Sequence, residues 1–130
     1  MLKTERMDRV RAALRAQGLT QMIVCDPKSV WYLTGVAVEP YERLLALYLP
    51  TNGEPVLFLN RLFNVPEPPC RTVWHTDTDK PVAQIAEVVD AGRPLGIDKE
   101  WPAKFLIPLM ETHPGMQVVL SSDCVDDCRA

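Results

Sequence analysis

The chain has 130 residues, 47% hydrophobic and 24% charged, which is typical of one folded domain and not of a disordered segment. The formal net charge is −3, and no run of lysine and arginine predicts a surface for nucleic acid or anionic lipid. The longest apolar stretch, residues 44–49, is too short to cross a bilayer, and residues 2–11 are too polar for a signal peptide. We therefore expect a cytoplasmic protein with no nucleic-acid or membrane partner.

Residues 3–17 predict an amphipathic helix. The apolar positions that recur on one face are Met7, Val10 and Leu14. Thr4 is the expected cap at its start, and Gly18 is the expected left-handed stop.

Strands follow this first helix. Residues 21–26 form a continuous apolar run, which predicts a strand buried on both faces. Residues 29–33 predict a helical turn. Residues 44–49 and 56–59 predict two strands, and the Asn-Gly step between them favours an antiparallel hairpin.

Strands and helices alternate in the second half of the chain. The predicted elements are strand 71–75, helix 79–91 with Asp79 as its cap, strand 95–98, helix 102–112, strand 117–120 and a helix beginning at Ser121 or Ser122. One helix per crossover and one internal hairpin imply the α/β class, with helices on both faces of a mixed sheet of about six strands.

Cysteine and histidine are the first candidates for chemistry. The chain has four cysteines, Cys25, Cys70, Cys124 and Cys128, and we expect reduced thiols because no secretory signal is present. Its two histidines, His75 and His113, are interpreted as surface residues. Cys70 and His75 could pair as nucleophile and base, but no third group orients the base and their odd spacing separates them on a strand. An independent Cys/His enzyme is therefore the least favoured hypothesis.

Acidic side chains form two local groups. Asp77 and Asp79 lack the further oxygen ligands that a calcium-like site needs. Asp123, Asp126 and Asp127 are better explained as acidic residues near a helix start, where the helix dipole favours negative charge. Neither group predicts a metal site.

The loop at residues 34–43 contains an aromatic hydroxyl, Tyr41, and a guanidinium, Arg43. Arginine is suited to binding a carboxylate at two points. The plainer alternative pairs Arg43 with Glu42 or Glu39 on a solvated loop, and composition alone favours that alternative.

Three motifs carry a resemblance to a known family. They are Tyr32-Leu33-Thr34-Gly35, Pro40-Tyr41-Glu42-Arg43, and the hairpin step Asn52-Gly53-Glu54-Pro55. With their flanking segments they resemble the amino-terminal domain of the creatinase/prolidase family, above all in bacterial Xaa-Pro dipeptidases and aminopeptidases. The resemblance covers nearly the whole chain.

The resemblance implies that residues 1–130 are one domain with a ribonuclease-H-like fold and no nuclease chemistry. In that family the peptidase reaction belongs to a following "pita-bread" domain, which this chain does not contain. Two Asp, one His and two Glu of that domain hold two divalent metals, often manganese, that activate water. We accordingly expect no catalytic residue and no metal or other cofactor within this chain.

The resemblance also assigns a role to the 34–43 loop. It implies a homodimer in which the loop approaches the active site of the partner subunit, where a proline-containing dipeptide binds. Arg43 would bind the terminal carboxylate of that dipeptide, and Tyr41 stands where dipeptidase-like relatives carry histidine. The alternative is a free-standing ligand-binding or protein-interaction module that has lost the peptidase domain.

Overall fold

Residues 2–130, the part of the chain that the computed structural model describes, alternate between helices and strands. In chain order the elements are α1 (Thr4–Ala16), β1 (Gln21–Val24), α2 (Pro27–Thr34), β2 (Ala46–Pro50), β3 (Val56–Asn60), β4 (Arg71–His75), α3 (Pro81–Val88), β5 (Leu95–Ile97), α4 (Ala103–Thr112), β6 (Val118–Leu120) and α5 (Asp123–Arg129). The strands form one six-stranded sheet in the order β4-β3-β2-β1-β5-β6. The α/β prediction is confirmed.

The sheet is mixed because β2 alone runs against its neighbours. β2 pairs antiparallel with β1 and with β3, as the predicted hairpin requires, whereas the β1–β5, β3–β4 and β5–β6 pairs are parallel. β1, β3, β4, β5 and β6 therefore end at the same edge of the sheet, and β2 begins there. We call this side the carboxyl edge.

Helices cover both faces of the sheet. Met22 and Val24 of β1 pack in one core cluster with residues of α1, α2 and α5, while Ile23 packs in a second cluster with residues of α3 and α4. All four residues of β1 are buried. The continuous apolar run thus reflects a strand between two helical layers, as predicted.

The first two helices differ from prediction mainly at their starts. Thr4 is the first residue of α1 and does not cap it, because Lys3 occupies the cap position and makes no side-chain cap bond. Gly18 has φ +74°, which confirms the left-handed stop. α2 is longer than the predicted turn because the Asp26 carboxylate accepts a hydrogen bond from Ser29 N at 3.3 Å and Pro27 fits the first turn.

Helix α3 is shorter than predicted at both ends. Lys80 takes the cap position, so the assignment of Asp79 as helix cap is wrong; the Asp79 carboxylate instead accepts a hydrogen bond from Thr76 N at 2.8 Å. The helix ends early because the buried Gln21 amide binds the backbone of Asp90, accepting from its N–H at 2.9 Å and donating to its carbonyl at 2.8 Å. These bonds hold residue 90 outside the helix.

None of the helices in residues 2–130 combines the length and apolarity that a membrane span requires.

Candidate functional site

The carboxyl edge collects loops from distant parts of the chain. Asp26 follows β1, Asn60 closes β3, Asp77 follows β4, Asp98 follows β5, and Arg43 precedes β2. Ligands of open α/β sheets characteristically bind outside the carboxyl ends of strands, where the strand order changes direction. The predicted substrate-proximal residues therefore lie at the edge of the sheet where a ligand is most expected.

The Pro40–Arg43 segment is a tight turn, closed by a hydrogen bond of 2.9 Å from Arg43 N to Pro40 O. Tyr41 adopts φ +53° within it and is 81% exposed. A left-handed conformation costs a non-glycine residue about 1–2 kcal/mol, and such strain is concentrated at functional loops. The turn thus displays the Tyr41 ring to solvent at a conformational cost.

Arg43 binds Asp77. Its Nε donates to Asp77 Oδ1 at 3.1 Å and its Nη2 donates to Oδ2 at 3.3 Å, so the contact is bidentate. The expectation that Arg43 pairs with Glu42 or Glu39 is wrong, because Asp77 offers both carboxylate oxygens to one edge of the guanidinium. Hydrogen bonding from Arg43, assisted by Asn60, holds the pKa of Asp77 below its usual value.

Asn60 connects this ion pair to the sheet. Its Nδ2 donates to Asp77 Oδ1 at 2.9 Å, and its own Oδ1 accepts from Leu62 N at 2.9 Å. Asn60 is the last residue of β3 and is 2% exposed. Sequence reasoning assigned no role to Asp77 or Asn60 at this site; the only available signal was a polar residue closing an otherwise apolar buried strand.

Tyr41 and Arg43 line a cleft of about 570 Å³ at the carboxyl edge. Trp101 and Phe105 contribute apolar surface to it. The other charged side chains of the lining carry both signs, and they are Asp26, Lys28, Glu39, Asp98, Lys99, Glu100, Asp126 and Arg129. Such a lining suits a zwitterionic or polar ligand better than a purely apolar one.

Asp98 has a structural role in this cleft. Its Oδ2 accepts hydrogen bonds of 2.9 Å from the backbone N–H groups of Cys25 and Asp26, while Oδ1 accepts from Glu100 N at 3.0 Å and from the Ser122 hydroxyl at 3.4 Å. The carboxylate therefore ties the loop after β1 to the loop after β5. Its acceptor capacity is used within the protein.

His75 is not a surface residue, and that prediction is wrong. It is the last residue of β4 and is 2% exposed. Burial lowers the pKa of its imidazole, and the negative charges of Asp79 and Asp77 only partly offset that lowering. Within the described residues neither ring nitrogen has a hydrogen-bond partner. The other histidine, His113, is partly buried and its Nε2 lies 2.8 Å from Ala86 O.

Metal ligation does not fit the acidic groups at this edge. Asp77 is committed to Arg43 and Asn60, and Asp79 binds Thr76 N. Across residues 2–130, no group of three or more His, Cys, Asp and Glu side chains is arranged to hold a metal ion.

The four cysteines are free thiols, as predicted. Burial raises the pKa of the Cys25 and Cys124 thiols, and it raises the pKa of Cys70 to about 11. A nucleophilic cysteine needs a lowered pKa, since the thiolate is the reactive form. With His75 held neutral by burial, the environment disfavours a reactive pair of Cys70 and His75.

Comparison with known proteins identifies what this architecture resembles. The family profile described as the Creatinase/Prolidase N-terminal domain matches residues 6–130. The "Probable dipeptidase PepE" of Mycobacterium tuberculosis is 29% identical over 127 residues, covering 91% of this chain and 33% of the relative. An "Uncharacterized peptidase" of Staphylococcus epidermidis is 36% identical over 53 residues, covering 41% of this chain and 15% of the relative. The chain thus spans a third or less of the length of these relatives.

Solved structures show the same fold. Dipeptidase PepE from Mycobacterium ulcerans matches with a TM-score of 0.79 and 26% identity, covering 97% of this chain and 36% of that one. The Creatinase/Prolidase N-terminal domain of an X-Pro dipeptidase from Streptococcus pyogenes matches with a TM-score of 0.77 and 22% identity, covering 95% and 98%. The second likeness supports the fold alone.

Proposed function

The chain belongs to the creatinase/prolidase N-terminal domain family, and from this premise we propose that it is the non-catalytic front domain of a longer, metal-dependent Xaa-Pro dipeptidase. The catalytic groups and two divalent metals, manganese by family resemblance, belong to a domain that follows it. The observation that carries the proposal is the family match over residues 6–130, joined to relatives that are named peptidases or dipeptidases and are about three times as long.

The domain's contribution is the Pro40–Arg43 turn. An Xaa-Pro dipeptide ends in a carboxylate, and a guanidinium on an exposed turn can bind that group through charge-assisted hydrogen bonds. The Arg43 side chain is 33% exposed and lines the cleft. Tyr41, strained and solvent-facing, supplies a hydroxyl and an aromatic surface next to it.

The protein is proposed to act as a homodimer in which this turn reaches the active site of the partner subunit. A mixed dimer tests this directly. One subunit carries Arg43→Ala with intact metal ligands, and the other keeps Arg43 but has one metal-ligating aspartate of the following domain replaced. Each parent dimer is impaired by itself, whereas the mixed dimer regains activity at the one intact metal site because Arg43 is supplied by the other subunit.

The control is the reverse combination, with both substitutions in one subunit and a wild-type partner. In that dimer the intact metal site belongs to the wild-type subunit, and the turn that reaches it comes from the doubly substituted subunit, which carries alanine at position 43. The substrate affinity at that site should therefore equal that of the Arg43→Ala enzyme. Equal activity of the two mixed dimers would contradict action across the interface. A reading frame downstream of residue 130 that lacks the Asp, Asp, His, Glu, Glu set would remove the parent enzyme and favour the free-standing module.

A further inference from the structure

We propose that Asp77, held in place by Asn60, is a positioning residue that presents the Arg43 guanidinium for binding a carboxylate. The inference rests on the proposed function of Arg43. It adds an explanation of how the Arg43 side chain is oriented. No motif in the sequence links these three residues. They come together only where the starts and ends of β2, β3 and β4 meet at the carboxyl edge.

The geometry of the ion pair leaves part of the guanidinium free. A guanidinium has five N–H donors in a planar fork, and two of its edges can each bind a carboxylate through parallel hydrogen bonds. Asp77 occupies the edge formed by Nε and Nη2. Among the described residues, no hydrogen bond involves Nη1, so the edge formed by Nη1 and Nη2 can bind a second carboxylate while Asp77 stays in place.

Asn60 makes the support rigid. It is 2% exposed and ends a strand whose residues are all buried, and its amide bridges Leu62 N and Asp77 Oδ1. The chain of contacts therefore runs from the sheet through Asn60 to Asp77 and then to Arg43. These contacts restrict the rotamers of Arg43, a long side chain that would otherwise rotate freely on its loop.

Pre-orientation explains the arrangement better than stability does. Ion pairs as exposed as this one, with Arg43 33% and Asp77 56% exposed, contribute little to the stability of a fold because solvent screens them. Ordering a long side chain during binding, however, costs conformational entropy, and a guanidinium already held by Asp77 avoids that cost. An aspartate is already ionised at neutral pH, and the lowered pKa of Asp77 extends the ionised state, and with it the ion pair, to lower pH.

Asp79 provides a matched control. It lies in the same loop as Asp77, is likewise exposed, and binds Thr76 N rather than Arg43. Asp77→Asn and Asp79→Asn each remove one negative charge from the same loop, so a difference between them reports the contact with Arg43 and not the general electrostatic field.

The kinetic test uses the complete dipeptidase and an Xaa-Pro dipeptide. We expect Asp77→Asn to raise KM by about three- to tenfold, which corresponds to the cost of ordering one side chain, while kcat changes less than about twofold. Asp79→Asn should leave both constants within about twofold of wild type. In an Arg43→Ala background, Asp77→Asn should cause no further loss because it acts through Arg43.

The outcomes separate two failures. If Arg43→Ala leaves KM unchanged, the proposed function of Arg43 fails. If Arg43→Ala raises KM but Asp77→Asn behaves like Asp79→Asn, or adds its full effect to Arg43→Ala, the positioning role is refuted while the function of Arg43 stands.

A second measurement needs no enzyme activity and uses the 130-residue chain itself. The Nε–H of Arg43, bonded to Asp77 Oδ1, should give a ¹⁵N–¹H side-chain resonance that exchanges slowly with water at pH 6.5. The resonance should persist in Asp79→Asn and broaden or disappear in Asp77→Asn. A wild-type Arg43 Nε–H that exchanges as fast as that of a fully exposed arginine would overturn the proposal without any variant.

Discussion

His75 illustrates how a single buried side chain can link stability to pH. Sequence reasoning placed it on the surface because it ends a weakly apolar strand, yet β4 pairs along its full length with β3 and carries His75 into the interior. The amphipathic pattern of a strand does not predict which end of the strand is buried by neighbouring helices, strands or loops. The buried imidazole is therefore a property of the packed sheet and not of the local sequence.

We predict that the free energy of unfolding falls as the pH is lowered from 7.5 to 5.5. Burial lowers the pKa of His75 in the folded state below its unfolded value near 6.5, so the unfolded chain takes up more protons as the pH falls through this window. The contribution is at most about 1.4 kcal/mol per pH unit. Urea unfolding at several pH values measures it.

Glutamine does not titrate, so His75→Gln should flatten this dependence. The window lies above the range in which most carboxyl groups titrate. A His75→Gln profile as steep as that of wild type would show that another group is responsible.

At the scale of elements, the strands were predictable and several helix ends were not. Strand positions follow from apolar runs bounded by turn residues, and β4 matches its predicted bounds, residues 71–75. The end of α3 could not be predicted because it depends on Gln21, which lies 69 residues from Asp90 in sequence. Local signals such as Gly92 and Pro94 are compatible with a helix that ends at residue 91, as predicted, or at Val88, as observed.

Strand β5 packs closely against its neighbours, and Gly96 is required for that packing. A Cβ at this position would lie 2.5 Å from Ser121 Oγ, 2.7 Å from Ser121 Cβ and 3.2 Å from Met22 Cβ. We predict that Gly96→Ala lowers the free energy of unfolding by about 1–3 kcal/mol, because the sheet must shift to admit the methyl group. Urea unfolding at pH 7.5 provides the measurement.

Gly92→Ala is the matched control, since its nearest neighbour would be Asp90 Oδ1 at an ordinary 3.4 Å. It should change stability by no more than about 0.5 kcal/mol. Equal effects of the two substitutions would mean that close approach at Gly96 does not limit the fold.

At the scale of the whole molecule, the fold could be predicted from the sequence, whereas the candidate site could be predicted only in part. Apolar patterning and the hairpin predicted the mixed sheet, and family resemblance singled out Tyr41 and Arg43. Asp77 escaped prediction because it is 34 residues from Arg43 and meets it only through the alignment of β2, β3 and β4. Contacts made across the edge of a sheet have no periodic signature in the sequence.

We expect the 130-residue chain alone to show no manganese-dependent cleavage of an Xaa-Pro dipeptide. The catalytic groups are proposed to lie in a following domain, and none of the described residues is assigned a catalytic step. Turnover by homogeneous chain, retained through successive purification steps, would contradict the proposal that this domain is non-catalytic.

The most direct test of the central claim, that this domain supplies a carboxylate-binding guanidinium to the dipeptidase, is the preference for a free-acid Xaa-Pro dipeptide over its C-terminal amide. We predict that the wild-type enzyme has a higher kcat/KM for the acid and that Arg43→Ala reduces this preference by about 10- to 100-fold, since a charge-assisted hydrogen-bonded contact is lost. A preference that is the same in Arg43→Ala and wild type would contradict the account.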